Sequence, residues 1–586
     1  MNKKNITGLA AALALLCVNS ATRAQEGGDQ REHPGTFLKA QGTQIVDGRG
    51  REVILRGMGL GGWMLQEGYM LELGNLGQQH VIRERIETLI GEEKTAEFYR
   101  AWLANHVREE DVRAMAEWGY NSVRLPMHFN LFTLPVEQEP VPGEHTWLDS
   151  GFALTDQLLA WCKKYNLYLI LDLHAAPGGQ GNDLAISDRN PDLPSLWDSQ
   201  ANRDKTIALW RKLAGRYKDE PMIGGYDLLN EPNWGFTDAA DKHGCTEKSN
   251  KPLRDLQQDI TAAIREVDRN HMVIVEGNCW GNNYAGVLPP WDDNLVVSFH
   301  KYWNHNSRES IAGILALREE HQVPVWLGES GENSNAWFTD AIELLESEGI
   351  GWAFWPLKKI GFNNPLQIQP NPGYRALVQY WRGEGARPQP EQAFNALMQL
   401  AKVDIRFENT LHHMDVVDAM LRQPSDGQVR PFRTHRLTSN GIVIAAVDYD
   451  LGRPGQAYAD SETANYHVST GGERTLWNRG RTYRNDGVDI VATDAGFAVA
   501  NTSPGEWLRY TIEVAEPGHY RLSVRELGGT GNAALTLSID DGQAMALQKS
   551  EGQHSVELAL SEGTRSLVLA VAAGAPLLTE LELVPQ

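Results

Sequence analysis

Two glutamates stand where short apolar runs give way to polar residues: Glu231 in GYDLLNEP and Glu329 in VWLGES. Two carboxylates facing one another can cleave a glycosidic bond. One donates a proton to the leaving oxygen while the other attacks or stabilises the anomeric carbon. Retention of configuration needs them ~5–5.5 Å apart and inversion ~6.5–9.5 Å, a distance that sequence does not fix. Other polar groups end runs of the same kind: Arg124 in NSVRLP, His174 in LILDLH, Asn230 beside Glu231, His300 and Tyr302 in VSFHKY, and Trp355 in GWAFW. Any one of these alone reads as a solvated cap or a core residue. Together they ask for a fold that gathers the ends of its strands on one face.

Such a fold is written in the spacing of the runs. Eight short apolar or β-branched segments occupy residues 53–60, 121–125, 167–173, 224–229, 272–275, 295–299, 323–327 and 352–355. Longer amphipathic stretches separate them, as in Leu253, Leu256, Ile260, Ile264 and Val267, whose spacing puts apolar groups on one helical face. Eight β-α alternations predict an α/β protein with a (β/α)8 TIM barrel catalytic domain. Residues 37–51 ahead of it predict a hairpin turning at Asp47-Gly48. From about residue 436 the texture becomes short alternating runs punctuated by Gly, Pro and Asp, the pattern of an all-β sandwich (jelly-roll) domain. In one of these runs Trp507 is expected to point inward. The expected division is a signal peptide at 1–24, the barrel domain at 25–385, a helical linker at 386–435 and the sandwich at 436–586. On that division a chain ending at residue 435 is expected to keep activity on soluble substrates.

Composition narrows the partners. The chain has 586 residues, with 54 Lys and Arg against 76 Asp and Glu, a net charge of −22 that repels nucleic acid and suits a neutral ligand. Of its 18 Trp, 16 precede residue 400, and flat indole faces of that kind stack on sugar rings as well as filling cores. Lys3 and Lys4 precede an apolar stretch at 9–18 and small residues up to Ala24, a secretory signal peptide with cleavage expected after Ala24. The stretch is too short to span a bilayer, so a secreted or periplasmic protein without membrane attachment is expected. Cleavage removes Cys17 and leaves Cys162, Cys245 and Cys279, enough for one disulfide at most. Cys162 lies on an apolar helical face, and whether Cys245 pairs with Cys279 is left open. The sequence has no CxxC or HExxH pattern, and the Gly178–Gly181 stretch lacks the Lys and Ser/Thr of a phosphate cradle, so neither metal nor cofactor is expected.

The ordered set LRGMGLGGWMLQEG, VRLP, LDLHAAPGGQ, LLNEP, SFHKY, LGES and GWAFWPLKK resembles glycoside hydrolase family 5, the cellulase-type clan of retaining barrel enzymes, over residues 37–383. The resemblance implies that Glu231 is the acid/base and Glu329 the nucleophile, and that Asn230 holds the sugar 2-hydroxyl. Arg124 and Tyr302 would hold Glu329, His174 and His300 would bind hydroxyls or position the carboxylates, and Trp355 would floor the reacting sugar's site. GLGGWMLQEG and DLHAAPGGQGND look most like the exo-β-1,3-glucanase branch, in which the acid matching Glu67 contacts that sugar. A loop salt bridge is the alternative role for Glu67. The resemblance thus implies a β-glucan substrate, laminarin-type and attacked from its ends. An endo-β-1,4- or mixed-linkage glucanase stands as the alternative, followed by a transglycosylase. A silent glycan-binding protein would have lost one of the two glutamates. Trp197, Trp234 and Trp303 are sugar platforms or packing residues.

Residues 505–526 (GEWLRYTIEVAEPGHYRLSVRE) and, more loosely, IAAVDYD at 444–450 resemble a family 6 carbohydrate-binding module. Ala445 and Val447 replace acidic residues that help to hold calcium in that family. Tyr466, Trp477 and Tyr483 are the candidate sugar platforms there.

Overall fold

The computed structural model describes residues 36–586 apart from 75, 462–476 and 495. The expected signal peptide and Tyr466 lie outside the described residues. Eight parallel strands close a barrel: β1 (Arg56–Gly59), β2 (Ser122–His128), β3 (Tyr168–Ala175), β4 (Ile223–Asp227), β5 (Met272–Glu276), β6 (Leu295–Lys301), β7 (Val325–Gly331) and β8 (Trp352–Trp355). Each pairs with its neighbour in sequence, and β8 returns to β1 through Trp352 opposite Arg56. Strands buried on both faces read as continuous apolar runs because helices cover the outside of the barrel. The helix Lys251–Arg265 does this with Leu253, Leu256, Ile260 and Ile264, all buried. The expected barrel is thus present, with all eight strands where the apolar runs fall. Its register slips at the C-terminal ends, between Met127 and His128 and between Phe299 and His300. Irregularities of this kind re-aim side chains, and here they occur where the polar groups begin.

The N-terminal hairpin pairs Lys39–Gln41 with Gln44–Val46 across Gly42, whose φ of +57° suits a residue without a Cβ. The Asp47-Gly48 turn follows as a second one, in which Asp47 accepts the N–H groups of Arg49 and Arg51 at 2.9 and 3.0 Å.

Residues 386–435 hold the helices Pro390–Gln399 and Met414–Leu421, and both are packed. Leu397 and Leu400 join Ile82, Ile86, Phe98 and Leu377 in an apolar cluster on the flank of the barrel. Met414–Leu421 lies against Asn335–Ser347, where the Thr339 hydroxyl donates to Ala419 O at 2.9 Å.

The C-terminal region is a β-sandwich built on two long antiparallel strands, Gly518–Ile539 and Gly563–Pro585. Four register shifts between residues 525 and 535 bend the pair, so that its two ends serve different parts of the sheet. One end pairs with Gln553–Leu560 and Ile442–Ala445, and the other with Trp507–Val514. Leu508, Tyr510, Ile512 and Val514 face the core. Trp507 therefore lies on the opposite face, half-buried under Arg509, against the inward orientation expected for it. A period of two leaves a choice of face, and the aliphatic set takes the core.

Candidate functional site

A cleft of about 510 Å³ opens at the C-terminal ends of the strands, and Glu67, His174, Glu231, His300, Tyr302, Glu329 and Trp355 all line it. Arg124 and Asn230 lie directly behind, 1% and 0% exposed. The nine residues singled out in sequence therefore meet in one place.

Glu329, on β7, is held from two sides. Arg124 Nη1 donates to Oε2 at 2.9 Å and the Tyr302 hydroxyl donates to Oε1 at 2.7 Å. Two donors fix the carboxylate's plane and stabilise its charge. Glu231 follows β4 with a left-handed φ of +44°, an unfavourable backbone conformation for a residue with a Cβ. Its N–H donates to Glu276 Oε2 at 2.7 Å, which anchors the turn, while its Oε1 lies 2.6 Å from His300 Nδ1. Burial raises the Glu231 carboxyl to about 7; His300 pulls against this and the nearby Glu329 adds to it. Glu231 is thereby suited to carry a proton near neutrality, as a general acid must. One ligand atom from each of Glu231, His300 and Glu329 lies within 4.8 Å of the others. A cluster of this composition can bind a cation, but Glu231 Oε1 already meets His300 Nδ1 and both Glu329 oxygens accept hydrogen bonds.

Behind the carboxylates sits a layer that sequence reading missed. Glu276, at the end of β5, is fully buried, 3.2 Å from His300 Nε2 and 3.1 Å from Arg124 Nη2. Burial opposes a charge on His300, but Glu276 and Glu231 outweigh it and hold the imidazolium well above the ordinary histidine range. Arg124 also meets Asp227 Oδ2 at 2.8 Å, Asp172 Oδ2 at 3.2 Å and Asn230 Oδ1 at 2.8 Å. One guanidinium cannot neutralise four carboxylates. Burial lifts Asp172 and Asp227 well above the usual carboxylate range, with the neighbouring acids adding to it and Arg124 opposing. Both are thereby driven toward the protonated form, against the pull of Arg124. Glu276 was legible in principle, since it ends MVIVE as Glu329 ends its own run. The apolar segment simply stops one residue short of it.

His174 is neutral, pulled down to about 3 by burial. Its Nδ1 meets Asp172 Oδ2 at 2.7 Å and its Nε2 lies 3.2 Å from Asn230 Nδ2, an amide donor, so the proton sits on Nδ1. Its ring stacks on Trp355 at 5.0 Å and 7°, and the Trp355 indole N–H donates to the Tyr69 hydroxyl at 2.9 Å. Gln180 Nε2 donates to both His174 O and Asn230 O, tying the loops after β3 and β4 together.

Glu67 lies in the cleft, 4.0 Å from His174 Nε2, and no Lys or Arg pairs with it among the described residues. Burial and the charges of Glu329, Glu332 and Glu231 push it well above the usual carboxylate range. Glu332 is a rim residue paired with Lys359. Trp197 packs edge-on against Phe236 at 4.9 Å, and Trp234 lies under Arg189; Trp303 lines the cleft. So does Trp280, which the sequence reading passed over. Cys279 beside it is disulfide-bonded to Cys245, which settles the pairing, and Cys162 is free and buried.

Residues 86–360 match the profile of the cellulase family, glycosyl hydrolase family 5. A β-xylosidase of Phanerodontia chrysosporium is 28% identical over 58% of this chain and 75% of that protein. Endoglucanase C of Acetivibrio thermocellus is 25% identical over 45% of this chain and 88% of its own. A probable glucan 1,3-β-glucosidase A of Emericella nidulans is 31% identical over 42% and 57% respectively. These matches fall on the barrel and mark it as a glycoside hydrolase domain. The family match covers the barrel and not the sandwich, whose fold alone is observed.

Proposed function

We propose that the protein hydrolyses β-glucosidic bonds with retention of configuration, Glu329 acting as nucleophile and Glu231 as acid/base. The observation that carries this reading is the spacing: one oxygen of Glu231 and one of Glu329 lie no more than 4.8 Å apart, which favours the close pair of a retaining enzyme over the ~6.5–9.5 Å that leaves room for a water. In the first step a Glu329 oxygen bonds to the anomeric carbon as the bond to the leaving oxygen breaks, and the Glu231 proton passes to that oxygen. In the second, Glu231 takes a proton from water, whose oxygen bonds to the anomeric carbon and releases Glu329. Arg124 and Tyr302 hold the nucleophile, His300 and Glu276 orient the acid, and Trp355 with His174 floors the reacting sugar. Asn230 sets the tautomer of His174 and offers its second amide N–H toward the sugar 2-hydroxyl.

The substrate is a neutral β-glucan, with β-1,3-linked chains attacked from their ends ahead of β-1,4 or mixed linkages. Glu67, which has no Lys or Arg partner among the described residues, supports a contact to the reacting sugar, and the net negative charge suits an uncharged polymer. Residues 1–24 direct export and are removed, so the mature protein acts outside the cytoplasm. Among the described residues no helix is long and apolar enough to cross a membrane. Incubation with laminarin, lichenan, carboxymethyl cellulose and mannan tests the substrate. Glucose or a single short product released steadily from laminarin is the expected result. A ladder of oligosaccharides from lichenan or carboxymethyl cellulose would replace it with endo attack on β-1,4 bonds.

A further inference from the structure

The cleft does not end at the reacting centre. Past Tyr69, Trp303 and Glu332 it adjoins a second compartment of about 520 Å³, whose far side includes Phe362, Asn363 and Arg481. Arg481 belongs to the sandwich. We propose that the sandwich domain forms part of the glycan cleft, Arg481 being the contact it lends to a sugar unit beyond the reacting one. The proposal rests on the glycan-cleaving reading above.

Three observations support it. The loop that carries Arg481 is fixed to the barrel. Trp477 is buried with its ring 6.4 Å from those of Phe362 and Trp303, and its indole N–H donates to Asn485 Oδ1 at 2.7 Å. Asn485 Nδ2 in turn donates to Asn333 O at 2.8 Å, one residue from Glu332. The Arg481 side chain is exposed over the Phe362 ring, 5.2 Å from its centroid, and makes no ion pair among the described residues. The charges of the compartment balance, Glu332 with Lys359 and Glu72 with Arg481, so it suits a neutral ligand. A guanidinium edge offers several donors in a plane, matched to sugar hydroxyls, beside an aromatic ring.

Position assigns the sugar to one side of the scissile bond. The acid's side of the cleft is Trp280, whose N–H donates to Pro232 O next to Glu231. The second compartment adjoins Glu332, on the loop that follows the nucleophile. The unit held there belongs to the glycone, the part transferred to Glu329, so the preferred glycone is at least a disaccharide. Attack from a chain end then releases a disaccharide ahead of glucose.

The test compares Glu329→Gln with Glu329→Gln/Arg481→Ala in the full chain, both checked by thermal unfolding. Each is titrated calorimetrically with glucose, laminaribiose, laminaritriose and cellobiose. Affinity is expected to rise about tenfold or more from glucose to a disaccharide, and Arg481→Ala to remove most of that gain, with Arg481→Lys recovering part. An equal gain with and without Arg481, or no gain with chain length, overturns the proposal. In the active enzyme, Arg481→Ala is expected to lower the ratio of kcat/KM for an aryl laminaribioside over an aryl glucoside about tenfold, through KM. Aryl glycosides left uncleaved while Arg481 still governs disaccharide affinity would remove the hydrolytic reading and keep the compartment. Hydrolysis with a ratio insensitive to Arg481 would do the reverse.

Discussion

Arg124 faces four carboxylates, and their surroundings do not act on them alike. Burial pushes Asp172 and Asp227 up, while Glu276 is kept below its ordinary value: burial would raise it, but His300 and Arg124 prevail. Glu276 thereby acts through His300 and the Glu231 backbone. Glu276→Gln is expected to lower kcat/KM ten- to a hundredfold, about 1.4–2.7 kcal/mol of transition-state stabilisation. It is also expected to move the His300 midpoint down, because its strongest charge partner is gone. An NMR titration of the imidazole reads this, and an unmoved midpoint would exclude the role. The proposed mechanism needs Glu231 protonated for the first step, so kcat/KM is expected to fall as pH rises through about 7. Glu329→Gln removes a charge that raises Glu231, and the Glu231 carboxyl is then expected to titrate lower, as carbon-detected NMR would measure. Eight of the nine site residues were legible because each lies at the end of an apolar run, and Glu67 only through the resemblance to family 5. Tyr69 and Trp280 were not, since they belong to loops whose path follows from tertiary packing.

At the scale of elements, the barrel was readable because its strands are buried on both sides and announce themselves as uninterrupted apolar segments. The loops that finish the site depend on buried polar bonds, which resemble solvated sequence. Lys301, at the end of β6, is 5% exposed. Its ammonium donates to Asn304 Oδ1 and Asn306 Oδ1, each at 2.6 Å, and lies over the Trp337 ring at 4.7 Å. It thus pins the loop that carries Tyr302 and Trp303. Burial pulls Lys301 down to about 7. The unfolded chain binds this proton up to about 10.4, so between about 7 and 10 the unfolded state holds more protons and stability rises with pH. Lys301→Met is expected to flatten that rise and to cost about 1–3 kcal/mol through the amides left unpaired, measured by urea unfolding across this pH range. The Cys245–Cys279 bridge closes 34 residues of chain and fixes the segment bearing Trp280. Its loss in Cys245→Ser/Cys279→Ser is expected to cost about 2–4 kcal/mol in the same measurement.

For the whole molecule, the sequence suggested a separable sandwich, and the contacts between the domains argue otherwise. Asn485 N–H donates to Asp415 Oδ2 at 2.7 Å, Asn335 N–H to Asn485 O at 3.0 Å, and Asn335 Nδ2 to Asp486 Oδ1 at 3.1 Å. All four residues are buried. Polar side chains in loops give no sign in sequence that they will be buried against a distant domain. A chain ending at residue 435 strips Asn335 and Asp415 of these partners, at about 1–3 kcal/mol for each buried group. The intact protein is therefore expected to unfold in one calorimetric transition, and the shortened chain at a lower temperature. Two well-separated transitions with an unchanged barrel midpoint would favour independent domains. The strand Gly563–Pro585 pairs with both Trp507–Val514 and Gly518–Ile539, so the sheet behind the Arg481 loop closes only with the last residues of the sequence. During synthesis the barrel has its strands some two hundred residues earlier. A ribosome stalled in that interval displays Glu231 and Glu329 in a cleft with an unfinished rim.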